Sequence, residues 1–354
     1  MKNTCIVKIC AVALYAAFLV HPIFAGGKQD VAKDSALPDS TSTDIFDAGQ
    51  KDGGSMSSGT IRIGILNGPT SIPVAYLFDA LPIVDSKALS FEKFASPQAL
   101  LPKMLKDEID IGFMPVNVAA KVYNSANGAI VCAGVSGNGN LFLITKDKAV
   151  HNLVDLTGKT VSIAGQGATP EYLFRWLLAH NKIPEGVAGV QLDYSIPTAN
   201  IVAELLSDKI QYAVVPEPFA TVATTKSNTV MRALDVQQEF SEIVGADAVY
   251  PLTVMVVSKS YAATQAQAVR DFMRIFETSY EWTVANPQKA GVLVQKHTLG
   301  LMAPIVANAI PYANFTWKDA SAAKDEIENL LSIFLQLAPD SIGGKLPDES
   351  FYFK

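Results

Sequence analysis

The sequence predicts an α/β protein built from two similar lobes, and two internal correspondences carry that prediction. In the first, residues 100–115 (LLPKMLKDEIDIGFMP) align without gaps against residues 201–216 (IVAELLSDKIQYAVVP) at a constant offset of 101. In the second, residues 61–81 and 159–178 both read as an apolar strand, a glycine-bearing loop and a helix. Thr70 and Thr169 precede Pro73 and Pro170, and Tyr76-Leu77-Phe78 recurs as Tyr172-Leu173-Phe174. A period this long suits duplicated lobes better than a solenoid.

Within the gapless pair, Leu101, Met104 and Leu105 in one copy and Val202, Leu205 and Leu206 in the other mark an amphipathic helix. Each helix passes through a charged turn into an apolar strand that ends at proline, Pro115 or Pro216. A new helix is expected immediately after each strand, at Val116-Asn117-Val118-Ala119 and at Glu217-Pro218-Phe219-Ala220. In the second pair, Gly165 and Gly167 permit a tight turn before Thr169-Pro170-Glu171, which reads as a helix start capped by Thr169. The remaining first-turn N–H groups have no intrahelical partner and suit an anion or a polar ligand edge.

Taken along the chain, Lys2 and Lys8 flank the start of an apolar run that leads to His21-Pro22-Ile23-Phe24-Ala25, the pattern of a secretory signal cleaved after Ala25. Residues 1–25 are therefore expected to direct export, although an uncleaved anchor stays open. Gly26 stands where a lipoprotein would carry cysteine, so a lipid anchor is not supported. Residues 26–59 are rich in Ser, Thr, Asp and Gly and read as a disordered linker. Lobe one is expected over residues 60–140 and 251–354 and lobe two over 141–250, with crossings near residues 140–145 and 250–257. The segments after the return crossing, residues 262–285, 288–297, 303–309 and 320–337, read as a helical tail packing on lobe one.

The 354 residues are 49% hydrophobic and 18% charged, enough apolar material for a sizeable core. Removing Lys2 and Lys8 leaves 26 basic against 34 acidic residues, a net charge of −8 that argues against nucleic acid and anionic membrane surfaces. Cys132 is the one cysteine outside the signal segment, so no disulfide is expected, and its apolar surroundings mark a small buried hydrophobe. His151, His180 and His297 are scattered without metal-ligand spacing and read as surface or cap residues. Gly165-Gln166-Gly167 superficially matches a dinucleotide loop, but Pro170 replaces the third glycine, so no cofactor is expected. Glu217, after a strand and before Pro218, is either a ligand carboxylate or a residue stabilised by the helix dipole. Arg175 and Trp176 lie deeper in their helix, equally suited to packing or binding.

An exported chain with these features resembles the periplasmic substrate-binding proteins of ABC transporters. The loop at Gly165 to Pro170, the turn Pro216-Glu217-Pro218-Phe219 and the closing Gly343-Gly344-Lys345-Leu346-Pro347 resemble the branch of alkanesulfonate, nitrate and taurine receptors and the NMT1/THI5-related thiamine-pyrimidine receptors. The resemblance implies a type II two-lobed fold, a ligand between the lobes, a membrane permease as partner and a monomer in an extracytoplasmic compartment. Loops at the carboxyl ends of the parallel strands would converge on the cleft. Lobe one would offer Asn67, Thr70, Ser71, Asn117 and Ser136; lobe two would offer Gly167, Ala168, Thr169 and Glu217. With Glu217 in that set and no Lys or Arg, the set tilts toward a neutral or cationic heterocycle over a sulfonate or nitrate. The alternative is an enzyme on the same fold, of the pyrimidine or menaquinone pathways. The resemblance to thiamine-pyrimidine synthases lacks their cysteine-rich segment and active-site histidine.

Overall fold

Alternating apolar residues and helical periodicity order the chain into eleven strands and twelve α-helices among the residues described, 59–354 of a computed structural model. The expected signal segment and nearly all of the expected linker lie outside these residues. The first unit runs β1 (Thr60–Leu66), α1 (Ala75–Ala80), β2 (Ala88–Phe94), α2 (Pro97–Leu105), β3 (Ile111–Pro115), α3 (Val116–Ser125) and β4 (Ile130–Asn138). After Gly139 and Asn140 come β5 (Leu141–Thr145), β6 (Thr160–Ile163), α4 (Thr169–His180), β7 (Gln191–Asp193), α5 (Thr198–Leu206), β8 (Tyr212–Pro216), α6 (Phe219–Lys226), β9 (Met231–Asp235) and α7 (Val236–Val244). The return leg is β10 (Pro251–Ser258), α8 (Lys259–Thr264), α9 (Ala266–Ala285), α10 (Pro287–Lys296), α11 (Ala303–Ala309), β11 (Phe315–Asp319) and α12 (Lys324–Leu337).

Two mixed sheets result, ordered β11-β4-β10-β3-β1-β2 and β7-β6-β8-β5-β9. In the first, β1 runs parallel to β2 and β3, while β10 is antiparallel to β3 and β4. In the second, β6 runs parallel to β7 and β8, while β5 is antiparallel to β8 and β9. This is a two-lobed α/β fold with duplicated halves. β5 stays wholly in the second sheet and β10 wholly in the first, so the crossings occupy the turns before each strand.

The duplication reaches individual atoms. α2 and α5 share bounds at the offset of 101, as do β3 and β8. The turn residues Asp107 and Asp208 both take a left-handed φ, 54° and 62°. The N–H groups of Glu108 and Lys209 then donate to Lys103 O and Glu204 O at 2.8 and 3.0 Å. The same backbone solution thus ends both helices and launches both strands.

Ile61, Ile63 and Ile65 alternate onto one face of the first sheet and pack with Phe272 and Phe276 of α9. On the opposite face α2 approaches closely: a β-carbon at Gly64 would lie 2.3 Å from Leu100, and one at Gly112 2.8 Å from Met104 Sδ. Glycine at these two positions is what lets the helix seat on the sheet. A second apolar cluster runs without a break from Met104 and Met114 of lobe one through Phe334 to Leu173 and Phe174 of lobe two.

The tail departs from expectation twice. Phe315–Asp319 is a strand, β11, at the edge of the first sheet rather than part of a helical run. α9 packs on lobe one as expected, but α12 touches both α3 and α4, with Tyr172 and Phe334 ring centroids 5.7 Å apart. The tail therefore spans the junction between the lobes.

Candidate functional site

The two strand-to-helix junctions meet. Asn117, in the first turn of α3, is 1% exposed, and its Nδ2 donates to Gly167 O at 3.3 Å and to Ser341 O at 3.4 Å. The Thr169 hydroxyl, at the start of α4, donates to Asn117 Oδ1 at 3.3 Å. One side chain thereby joins lobe one, the lobe-two loop and the C-terminal tail in a closed arrangement. Thr169 is fully buried and does not cap α4; the N-cap residue is Ala168, which offers no side-chain cap.

The glycine loop is occupied from within. Gly165 and Gly167 take φ of 80° and 75°, which only glycine adopts freely. The Gly167 N–H donates to Glu171 Oε2 at 2.8 Å, Gly165 N–H to Thr198 Oγ1 at 3.2 Å and Ala168 N–H to Gly165 O at 3.0 Å. A carboxylate of the chain's own helix therefore sits where an anion was anticipated.

In lobe one, the Thr70 hydroxyl donates to Leu66 O at 2.7 Å, and the buried Ser71 hydroxyl donates to Gly68 O at 2.7 Å. Both hydroxyls are spent on the loop. Asn67 is exposed on the same loop. Ser136, on β4, donates to Thr253 O at 3.4 Å. Thr70 and Ser136 come together in a cavity of about 20 Å³ that Asn140, Thr253 and Phe315 also line.

Glu217 is placed differently from its expected ligand role. It is 1% exposed, and Arg232 of β9 donates to its Oε1 from Nε at 2.9 Å and from Nη2 at 2.5 Å. Thr221 N–H donates to Oε2 at 3.1 Å, the helix-terminal alternative. The Arg232 guanidinium also lies 3.9 Å from the Tyr312 ring centroid and 5.3 Å from that of Phe142. The carboxylate is closed off and neutralised, so the tilt toward a cationic ligand loses its physical ground. Sequence reasoning missed Arg232 because its partner is 15 residues away and only the order β8-β5-β9 unites them. An arginine amid Met231, Ala233 and Leu234 in the strand Met231–Asp235 was the available signal.

The other residues singled out resolve plainly. Arg175 pairs with Glu185 at 2.9 Å, and Trp176 packs on Phe240 with centroids 5.6 Å apart. His151 and His180 are exposed, and His297 caps α10 with Nε2 3.2 Å from Asp79. Burial pushes the Cys132 thiol up to about 12, so it stays protonated and inert. Among the described residues no group of three His, Cys, Asp or Glu side chains is placed to hold a metal ion.

These features define a class: a type II binding-protein fold whose duplicated lobes meet through a strand-to-helix junction of each. The family described as NMT1/THI5 like matches residues 115–290, and the chain is similar to that family over this span. An ABC transporter protein from Parabacteroides distasonis is 24% identical, with 83% of this chain and 99% of that chain covered and a TM-score of 0.72. The periplasmic aliphatic sulphonate binding protein SsuA from Escherichia coli is 17% identical over 83% of this chain and 92% of that one, with a TM-score of 0.65. The periplasmic nitrate-binding protein NrtA from Synechocystis PCC 6803 is 12% identical over 80% and 84%, with a TM-score of 0.58. No curated protein matches the sequence. At these identities the solved structures speak for the shared fold, which is the fold of the branch that the sequence motifs resemble.

Proposed function

We propose that the protein is an extracytoplasmic solute-binding component that encloses one small organic molecule between its lobes and delivers it to an ABC permease, acting as a monomer and not as an enzyme. Lobe one would comprise residues 60–140 and 251–354, and lobe two residues 141–250. The observation that carries this reading is the contact of Asn117 with Gly167 and Thr169, where a strand-to-helix junction of each lobe closes on the other. A solute enters when the lobes are apart and is held as they shut. Such a ligand stabilises the closed form by its differential affinity, which is the signal a permease reads.

Native mass spectrometry of the purified protein against a panel of vitamins, vitamin precursors, sulfonates, nitrate and amides tests this. One unmodified solute bound per chain is the expected result. Absence of any bound solute removes the transport reading, and chemical conversion of a bound one replaces it with the enzyme alternative.

A further inference from the structure

Arg232 and Tyr312 meet across the two lobes, a contact that the pairing of Arg232 with Glu217 does not account for. Tyr312 ends the single helical turn Ile310–Tyr312, between α11 and β11. That turn is fastened to the lobe of the first sheet, where Ile310 is buried in one apolar cluster with Ile61 and Ile63 of β1. The residues after it are tied to the crossing: Ala313 O accepts from Asn140 Nδ2 at 3.3 Å, and Asn314 O accepts from Asn138 N–H at 3.0 Å. Arg232 and Phe142 belong to the second sheet, on β9 and β5.

The guanidinium is held from its own lobe. Glu217 Oε1 accepts from Nε at 2.9 Å and from Nη2 at 2.5 Å, and Thr221 Oγ1 accepts from Nη2 at 2.6 Å. Glu217 and Thr221 are almost fully buried, so the cation has a fixed position. Arg232 Cζ sits over the Tyr312 ring, 3.9 Å from its centroid, and that ring stands edge-on to Phe142 with centroids 6.2 Å apart and planes at 88°. A guanidinium this close to an aromatic ring is attracted by the ring quadrupole.

We infer that Tyr312 and Arg232 form a second closing contact between the lobes, beside that of Asn117, which raises the share of closed molecules before any solute arrives. This rests on the solute-binding reading above and adds to it a bias toward closure built into the fold. Each partner is fastened to its own lobe, so neither can follow the other when the lobes turn apart. The attraction fades beyond about 6 Å from the centroid, so a further separation of roughly 2 Å releases the contact. With part of the population already closed, the solute has less of the closing to drive. Glu217, buried away from any solute, thereby serves closure by holding the cation where Tyr312 meets it.

Double electron–electron resonance on the full chain without solute tests the inference, with spin labels on Gln98→Cys and Gln166→Cys and with Cys5 and Cys10 replaced by serine. Tyr312→Leu keeps apolar bulk but removes the ring, and should lower the ratio of the shorter to the longer distance roughly threefold, the worth of a partly exposed cation–π contact. Tyr312→Phe keeps the ring and should leave the ratio unchanged. Both variants should unfold near the wild-type urea concentration, because Tyr312 is 45% exposed. The double variant Glu217→Gln with Arg232→Met removes the cation from the other side and should lower the ratio in the same direction; it carries the test alone if Tyr312→Leu does not fold. An unchanged ratio in Tyr312→Leu, or a fall in Tyr312→Phe as large as that in Tyr312→Leu, overturns the inference. Either result leaves the solute-binding reading standing, since the solute panel in native mass spectrometry decides that reading by itself.

Discussion

The Thr169 hydroxyl donates to Asn117 Oδ1 across 3.3 Å, so the first turn of α4 in one lobe is bonded to the first turn of α3 in the other. Each helix follows a strand of its own lobe, but α3 has its counterpart in α6 and α4 has its counterpart in α1, so the contact joins two different strand-to-helix junctions of the duplicated unit. Asn117 is saturated by Thr169, Gly167 and Ser341, which makes it a latch residue in the closed form.

Asn117→Ala removes three hydrogen bonds that cross between lobe one, lobe two and the tail. Their lengths of 3.3 to 3.4 Å place them at the weak end, so the closed form should lose about 1–2 kcal/mol. Hydrogen–deuterium exchange at residues 165–169 should rise roughly tenfold, since 1.4 kcal/mol is a factor of ten. Unchanged exchange there would show that the latch does not govern closure.

Glu217→Gln should act on stability. The substitution leaves the Arg232 guanidinium without its charge partner in a site where the two side chains are 17% and 1% exposed. Breaking a pair buried to this degree costs about 3 kcal/mol, seen as a lower urea midpoint. The double variant Glu217→Gln with Arg232→Met removes the stranded charge and should recover most of that loss. A double variant less stable than Glu217→Gln would mean that Arg232 stabilises mainly through the Tyr312 and Phe142 rings.

Gly139→Ala should disturb the crossing itself. A β-carbon there would lie 2.2 Å from Tyr250 Cζ, and Tyr250 is fully buried against Phe240. Overpacking of this kind costs about 1–3 kcal/mol. Pairing it with Tyr250→Leu should give a smaller loss than the two single effects summed, read by denaturant unfolding. Simple additivity would place the strain elsewhere.

Asp147 supplies a pH prediction. Its carboxylate accepts from Lys159 Nζ at 2.8 Å and from Tyr212 OH at 2.7 Å, and the Lys159 hydrogen bond followed by that of Tyr212 holds its pKa below the usual carboxylate range. A depressed folded pKa contributes stability that is complete above the unfolded value, about 4, and is lost as pH falls below it toward the folded value. The stability difference between wild type and Lys159→Met should therefore be present at neutral pH and shrink below about pH 4. A difference that stays constant from neutral pH into that range would remove Asp147 as its source.

Much of the fold was legible because its determinants are local. The offset of 101 appears in the sequence as matched apolar spacing, and the backbone repeats it down to the left-handed Asp107 and Asp208. β11 was hidden because Phe315–Asp319 is short, half-exposed and flanked by helices; its pairing with β4 is a long-range event. The clue was the alternation of Phe315 and Trp317 after Asn314, a residue with φ of 47°. The site divided in the same way. The meeting of Asn117, Gly167 and Thr169 follows from where strands end, a property readable from pattern. The fate of Glu217 depended on Arg232, and that of the Gly167 N–H on the rotamer of Glu171; neither is encoded in spacing. Thr253 escaped notice because it lines the small cavity beside Thr70 and Ser136 from a returning strand.

Closure of two lobes on a solute is the central claim, and a distance measurement tests it most directly. Gln98, at the start of α2, and Gln166, in the glycine loop of lobe two, are exposed and suit spin labels after substitution to cysteine. Cys132 is fully buried and stays unlabelled, while Cys5 and Cys10 are replaced by serine. Double electron–electron resonance should give two populations without solute and a single shorter distance with a solute identified from the mass-spectrometry panel. An identical distance distribution with and without the bound solute would contradict the account.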